Sequence, residues 1–282
     1  MFHEISPRKL NIAYINKEAV PSDYVIITLD NSILINSSES LSFPKVSEIR
    51  QSCKLQFLFS VDDVNFHMLC DYKVNAADCL KDDFKELYSF TSVRNLRNLE
   101  PMWLAYSGTL GYRLIEWYRS VRFCGACGSS TIHSSSERAV ICPHCSHISY
   151  PTISPSVIVL IRNGEKILLT KYQPSHNQYA HYALVAGYVE SGETPEECVK
   201  REIFEEVGLK VKNIEYYKSQ PWPLSGALLL GFICDLDGDD TVTMDSSELS
   251  VAEWIPRSEV PVRDRDVSLT SELMENFRKG IL

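Results

Sequence analysis

One segment, residues 187–209, constrains this chain more than any other. It reads Gly187-Tyr188-Val189-Glu190-Ser191-Gly192-Glu193, then seven residues, then Arg201-Glu202-Ile203-Phe204-Glu205-Glu206-Val207-Gly208-Leu209. Thr194-Pro195-Glu196-Glu197 carries the marks of a helix start. It has a hydroxyl able to cap, a proline where a missing N–H costs nothing, and a glutamate placed to close a capping box. Gly208 supplies the stop, because glycine takes the left-handed conformation after a last turn without steric penalty. Between these bounds Val199, Ile203 and Val207 recur by four and form an apolar stripe that can seat on a sheet. Glu202, Glu205 and Glu206 are spaced i, i+3, i+4, so their carboxylates share one face. Three carboxylates that close repel one another, and a hard divalent cation with oxygen ligands is the natural counter-charge. A solvated acidic face is the competing reading of such a run. The upstream Gly187 and Glu193, together with Arg201 and Gly208 in register, favour the cation site.

A second constraint lies upstream. Cys124-Gly125-Ala126-Cys127 and Cys142-Pro143-His144-Cys145 are separated by fourteen residues. Each pair forms a knuckle aiming two thiolates at one centre, and two knuckles make a tetrahedral four-sulfur zinc site. Gly125, Gly128 and Pro143 supply turn chemistry, and residues 129–141 suffice for a short hairpin. His144 and His147 are spectators, since four cysteines already close the site. A closed site leaves no position for substrate, so the zinc is structural. Two redox dithiols would need a thioredoxin-like setting, which is not evident. The other five cysteines (Cys53, Cys70, Cys79, Cys198, Cys234) are scattered and read as small buried hydrophobes rather than a disulfide framework.

A length of 282 residues accommodates two or three domains. No apolar run approaches a membrane span, and the opening Met1-Phe2-His3-Glu4-Ile5-Ser6-Pro7-Arg8 lacks a signal-peptide pattern. The expectation is a cytoplasmic protein with no membrane partner. The formal net charge of −9 makes it a poor non-specific binder of nucleic acid. It also leaves metal ions to supply the positive charge that any anionic substrate would need.

The patterning divides the chain into residues 1–120, a mixed α/β domain; residues 121–150, the cysteine ribbon; and residues 151–282, a second α/β domain. In the first, residues 24–29 and 33–35 read as a hairpin around Asp30-Asn31-Ser32. Residues 55–59 and 66–70 read as strands, and residues 101–120 as a helix through Trp103, Leu110, Leu114 and Trp117. His67, alone on an apolar run, reads as packed. In the last, residues 157–161 and 166–170 form a hairpin about Asn163-Gly164. Residues 182–185 lead into a loop at Gly187, residues 227–234 are a buried strand, and residues 268–278 a final helix. This order gives an α/β (α+β) layered fold.

The Gly187 to Leu209 segment resembles the Nudix box, in which all nine constrained positions are present here. With the four-cysteine ribbon in front, the chain resembles the NADH pyrophosphatase (NAD⁺ diphosphatase) family of Nudix hydrolases. A third motif, Ser219-Gln220-Pro221-Trp222-Pro223, resembles that family's Ser-Gln-Pro-Trp-Pro array. Leu114-Ile115-Glu116-Trp117 before the ribbon and Tyr150-Pro151 after it agree. The likeness covers residues 101–260 well and the first hundred only in layout. Two departures stand out: Leu224-Ser225-Gly226 replaces the family's Phe-Pro-x-Ser, and the last helix lacks its small-Arg-Arg pattern.

The resemblance implies a Nudix α/β/α sandwich and metal-dependent hydrolysis of the pyrophosphate of NAD(H) to nicotinamide mononucleotide and AMP. It extends to the same bond in NAD-capped RNA 5′ ends. Glu202, Glu205 and Glu206 would hold Mg²⁺ or Mn²⁺, with the Gly187 carbonyl and Glu248 completing the site. Glu206 is the first ligand or base by family position, and Glu248 has an exposed loop glutamate as its competing reading. Arg201 would pair with Glu193 and orient the helix. Ser219, Gln220, Pro221, Trp222 and Pro223 would bind substrate, the two prolines stiffening a loop around the indole; a turn whose tryptophan covers a core edge is the alternative. Tyr150 and Tyr188 would stack on a base, with core packing equally open. The resemblance also implies a homodimer.

Two other functions remain open at this stage. One is a Nudix hydrolase of another nucleoside diphosphate derivative, such as ADP-ribose or a dinucleoside polyphosphate. The other is a zinc-ribbon nucleic-acid binding protein with a dead Nudix domain, although no box carboxylate is lost.

Overall fold

The computed structural model describes residues 1–15, 17–70, 76–173, 181–262 and 267–282. The chain divides into two compact units, residues 2–152 and residues 153–282, the second joined by Met1. Residues 121–150 lie in the unit of residues 2–152. Tyr14 donates its hydroxyl to the Ser134 carbonyl at 2.7 Å, Arg138 donates to the carbonyls of Ile12 and Leu58, and the Tyr118 and His133 rings lie 4.6 Å apart. A ribbon this small cannot bury a core of its own and borrows one.

In the first unit the strands are β1 (Leu10–Asn11), β2 (Tyr24–Ile26), β3 (Thr28–Leu29), β4 (Ser32–Ile35), β5 (Leu55–Val61), β6 (Val64–Leu69) and β7 (Ser89–Ser92). The expected hairpin at residues 24–35 is half right. β3 and β4 do pair antiparallel, but β2 pairs parallel with β6 in a different sheet. Val25, Ile26 and Ile27 are all buried, as befits a stretch covered on both faces while it changes sheets. β5 and β6, both read as strands from the sequence, form an antiparallel hairpin turning at Asp62 with φ 51°. Helix α1 (Met102–Ser120) then leads to the ribbon strands β8 (Ile132–His133), β9 (Val140–Ile141) and β10 (Ile148–Ser149), paired in the order β10-β9-β8.

The second unit contains β11 (Ser154–Asn163), β12 (Lys166–Tyr172), β13 (Val185–Tyr188), helix α2 (Pro195–Val207), β14 (Val211–Trp222), β15 (Ala227–Leu236), β16 (Leu249–Pro256) and helix α3 (Leu269–Arg278). Its sheet runs β14-β15-β11-β12-β16, with β13 also paired to β11. Only β11 and β15 are parallel among these described pairs. Alternation along β11 builds both layers. Val157, Val159 and Ile161 face a core with Val199, Ile203 and Val207 of α2, while Ile158 and Leu160 face one with Leu269, Leu273, Met274 and Phe277 of α3. Burying each of the three α2 residues is worth about 1.5–3 kcal/mol. The result is the α/β/α layering expected. No helix among the described residues is long and apolar enough to cross a membrane.

Two motifs sit on different elements from those expected. Gly187 lies within β13, opposite Val157, and not in a loop. Ser219, Gln220, Pro221 and Trp222 end the strand β14, paired with Leu230, Leu229, Leu228 and Ala227, and only Pro223 enters the turn. A proline is tolerated there because, among the described residues, β14 pairs on one side only, with β15.

Candidate active site

Helix α2 carries the site, and its ends are built as the sequence dictates. The Thr194 hydroxyl accepts from the Glu197 N–H at 3.2 Å, and the Glu197 carboxylate accepts from the Thr194 N–H at 2.8 Å. Gly208 closes the helix at φ 71°.

Arg201 is the hub of the exposed side. Its Nε and Nη2 grip the two oxygens of Glu193 at 2.8 and 2.9 Å, the fork-to-fork geometry that suits guanidinium and carboxylate. Its Nη1 also donates to Glu202 at 2.8 Å and Glu205 at 3.0 Å, and its Nη2 to the Tyr188 carbonyl at 2.9 Å. The guanidinium holds the Glu193 carboxyl down to about 2. Arg201 therefore does more than pair with Glu193: it supplies the counter-charge for two of the three box glutamates.

Glu206 differs from its neighbours. It is 4% exposed, and its Oε2 has no hydrogen-bond partner among the described residues. Burial pushes its carboxyl up to about 8, reinforced by Glu202, Glu248 and Asp245 and opposed by a hydrogen bond from the Ala186 backbone. Burial also raises Glu202, with Arg201 opposing and Glu205 and Glu248 reinforcing. Glu248 is exposed, yet its charge reaches both carboxyls. The charges of Glu202, Glu206 and Glu248 thus act on one another, while Glu205 stays exposed on Arg201. Gly187 abuts Glu202, for a Cβ there would lie 1.9 Å from the carboxyl carbon of Glu202. Its carbonyl accepts from the Ser156 hydroxyl at 2.9 Å.

A buried carboxylate oxygen without a partner among the described residues, under the charge of two further carboxylates, suits a hard divalent cation. The four cysteines fit zinc. Their sulfurs lie within 4.8 Å of one another, with Cys124–Cys145 at 3.6 Å and Cys127–Cys142 at 3.5 Å. Four thiolates bound to one zinc at about 2.3 Å stand roughly 3.8 Å apart. Hydrogen bonds from Ser129 hold the Cys127 thiol down to about 5. Of the scattered cysteines, Cys79, Cys198 and Cys234 are buried and Cys53 and Cys70 half-buried.

The other candidate residues divide. Gln220 is fully buried; its Nε2 donates to the Val267 carbonyl at 3.0 Å and its Oε1 accepts from the Leu269 N–H at 2.7 Å. Its carboxamide is committed to the start of α3, which corrects the expectation that it offers a donor and an acceptor to substrate. Pro223 is buried, while Ser219, Pro221 and Trp222 are half-buried. Tyr150 and Tyr188 are 54% and 52% exposed, so neither is core packing. Tyr150, in the unit of residues 2–152, donates its hydroxyl to Glu137 at 3.2 Å.

Sequence patterning passed over Tyr172. Its phenol is pushed well above the usual range by burial and then by Glu206, Glu248 and Glu202, which places it beside the carboxylates. It also passed over Ala186 and Asp245. None of the three carried a motif, since their roles arise from where β12, β13 and the segment after β15 meet α2.

Comparison with known proteins agrees with this geometry. Residues 152–277 match the NUDIX domain, and residues 119–150 match the NADH pyrophosphatase zinc ribbon domain. The chain is 40% identical over 166 residues to a protein of Photorhabdus laumondii named NAD-capped RNA hydrolase NudC, spanning 59% of this chain and 63% of that protein. It is 39% identical over 185 residues to the protein of the same name from Enterobacter sp., spanning 66% of this chain and 70% of that one. Among solved structures, a NUDIX hydrolase from Nitrosomonas europaea aligns with a TM-score of 0.49 at 23% identity, over 56% of this chain and 92% of the other. The carboxylate-lined helix, the four-sulfur ribbon and the domain and relative matches lead to one conclusion: the chain belongs to the Nudix hydrolase family, in the group whose Nudix domain follows an NADH pyrophosphatase zinc ribbon.

Proposed function

We propose that this chain hydrolyses the pyrophosphate linkage of NAD(H), releasing nicotinamide mononucleotide and AMP, and cleaves the same linkage where NAD caps an RNA 5′ end. The observation that carries the reading is the buried carboxylate of Glu206, whose Oε2 has no partner and which sits beside Glu202 and Glu248. The relatives' name, NAD-capped RNA hydrolase, supports the substrate.

In this reading Glu202, Glu206 and Glu248 hold Mg²⁺ or Mn²⁺, with the Gly187 carbonyl alongside and Glu205 as an outer carboxylate. When bound, such cations polarise a pyrophosphate and lower the pKa of a water. Glu206, the buried carboxylate of the set, is the first ligand or the base that takes up that water's proton. Arg201 and Glu193 lock the α2 entry so that the glutamates keep their mutual positions. Trp222, flanked by Pro221 and Pro223, offers a stiffened aromatic face to the dinucleotide; Ser219 and Tyr188 are the further contacts. Gln220 shapes that pocket through α3. The ribbon zinc is structural, and the working form is a homodimer in the cytoplasm.

Incubation of the purified protein with NADH and NAD⁺ plus Mg²⁺ or Mn²⁺ tests the reading, with products separated by chromatography. Metal-dependent appearance of AMP and the mononucleotide is the expected result. Cleavage of ADP-ribose with NAD(H) left intact would overturn the substrate. NAD-capped RNA as a parallel substrate tests the cap, and light scattering tests the dimer.

A further inference from the structure

Residues 243–250 carry Glu248, and they are anchored from two sides. On one side Asp245 N–H donates to the Glu206 carbonyl at 2.9 Å, and Thr243 N–H to the Val207 carbonyl at 3.0 Å. These are carbonyls that the last turn of α2 leaves unsatisfied. The Asp245 carboxylate accepts in turn from the Ser247 N–H at 2.8 Å and the Ser247 hydroxyl at 2.7 Å.

On the other side stands Gln173, the residue after β12. Its N–H donates to the Glu248 carbonyl at 2.8 Å. Its Nε2 donates to the Ser246 carbonyl at 3.1 Å and the Leu249 carbonyl at 3.0 Å. Both partners are acceptors, so the amide nitrogen must face them, and its two hydrogens serve one carbonyl each. The three bonds bracket Glu248 from before, at and after its own peptide. Beside them the β12–β16 ladder slips. Lys171 faces Val251 and Tyr172 faces Leu249, so Ser250 is an extra residue, its hydroxyl 3.2 and 3.1 Å from the carbonyls of Lys171 and Tyr172. A bulge of this kind re-aims the strand that carries it.

The geometry points to Gln173 as a positioning residue: its carboxamide fixes the backbone on both sides of Glu248, holds that carboxylate toward Glu206, and so sets the affinity of the carboxylate site for a divalent cation. This rests on the reading of Glu202, Glu206 and Glu248 as a cation site, and not on the identity of the substrate.

The test is Mn²⁺ binding to the full-length, zinc-loaded protein, followed through the electron paramagnetic resonance signal of free Mn²⁺. Gln173→Met preserves side-chain length and the backbone bond to Glu248 while removing both amide donors. Outer partners of metal ligands typically contribute about tenfold or more in affinity, so Mn²⁺ affinity should fall about tenfold. Glu248→Gln should weaken binding at least as much. The double variant should match Glu248→Gln alone, because the two residues act through one carboxylate. Gln173→Asn, one methylene too short to reach both carbonyls, should repeat the loss and serves if Gln173→Met does not fold. A lowered Tm with unchanged Mn²⁺ affinity, or losses that multiply in the double variant, would overturn the inference. Unchanged binding in Glu248→Gln would overturn the cation site and the inference together. Loss of Mn²⁺ in Gln173→Met from a protein that does not cleave NAD(H) would support the inference and reject only the substrate.

Discussion

Gly187 has no room for a side chain on the face it turns to Glu202. A Cβ built on it falls 1.9 Å from the Glu202 carboxyl carbon and 2.0 and 2.2 Å from its oxygens. The neighbour it meets is the end of a flexible side chain, so Glu202 can swing aside at little cost to folding. The cost falls on the site instead. Gly187→Ala should melt within a few degrees of the parent yet lose activity on the order of 100-fold, the scale of an ångström's displacement of a reacting group. Thermal melts with steady-state kinetics check this; retention of more than half the parent's turnover would remove Gly187 from the site.

Glu206→Gln should nearly abolish turnover while leaving the fold intact. Its stability effect has a sign that pH reveals. The folded-state carboxyl is raised from 4.5 to about 8, so ionisation opposes folding. That penalty is absent below pH 4.5, grows between 4.5 and 8, and is complete above. In the presence of a chelator specific for Mg²⁺ and Mn²⁺, the glutamine variant should melt higher than the parent at pH 8.5 and no higher at pH 4.5. Equal melting temperatures at pH 8.5 would contradict the burial argument.

His67 gives the first unit an opposite dependence. Its Nε2 lies 2.9 Å from Asp23 Oδ2, both residues are buried, and its Nδ1 has no partner. Asn65 donates to the other Asp23 oxygen, Lys17 bonds to Asn65, and the Phe57 ring packs edge-on against the imidazole. Burial lowers the imidazole's pKa, Asp23 opposing and Lys17 reinforcing. The unfolded chain takes a proton near 6.5 and the folded one resists, so this contribution is complete above 6.5 and is lost as pH falls below it. His67→Gln should flatten the fall in melting temperature between pH 7 and pH 5 that the parent shows. An unchanged slope would place the acid sensitivity elsewhere.

Zinc removal should loosen more than the ribbon. Tyr14, Gln56 and Leu58 are tied to Ser134, His133 and Arg138 across residues 129–141. Hydrogen–deuterium exchange after zinc extraction should show lost protection in β5 and around residue 14 as well as in residues 121–150. Loss confined to the ribbon would mean that it folds as an appendage.

What was legible in the sequence was what local chemistry decides. Thr194, Pro195, Glu197 and Gly208 bound α2 because caps act within a few residues, and the cysteine pairs announced one centre by spacing alone. The β11–β12 hairpin followed from Asn163-Gly164 between apolar runs. What escaped depends on which elements meet. Three glutamates share a helix face, but only packing decides that Glu206 is buried while Glu205 stays on Arg201. Gln220 reads as a polar handle until α3 arrives to occupy it, and Gln173 reads as nothing until residues 246–249 fold against it. The division of residues 24–29 between two sheets likewise has no local mark, since both halves are equally apolar.

Pro221 has a consequence beyond the pocket. β14 runs for twelve residues with one flank unpaired among the described residues, and a strand of that length invites another chain to extend the sheet. A proline offers no N–H to such an intruder, and the register of β14 already slips between Lys212 and Glu215 and between Tyr216 and Lys218. The same motif that frames Trp222 thus guards the sheet's margin against self-association, and replacing Pro221 would expose a colloidal weakness before it exposed a catalytic one.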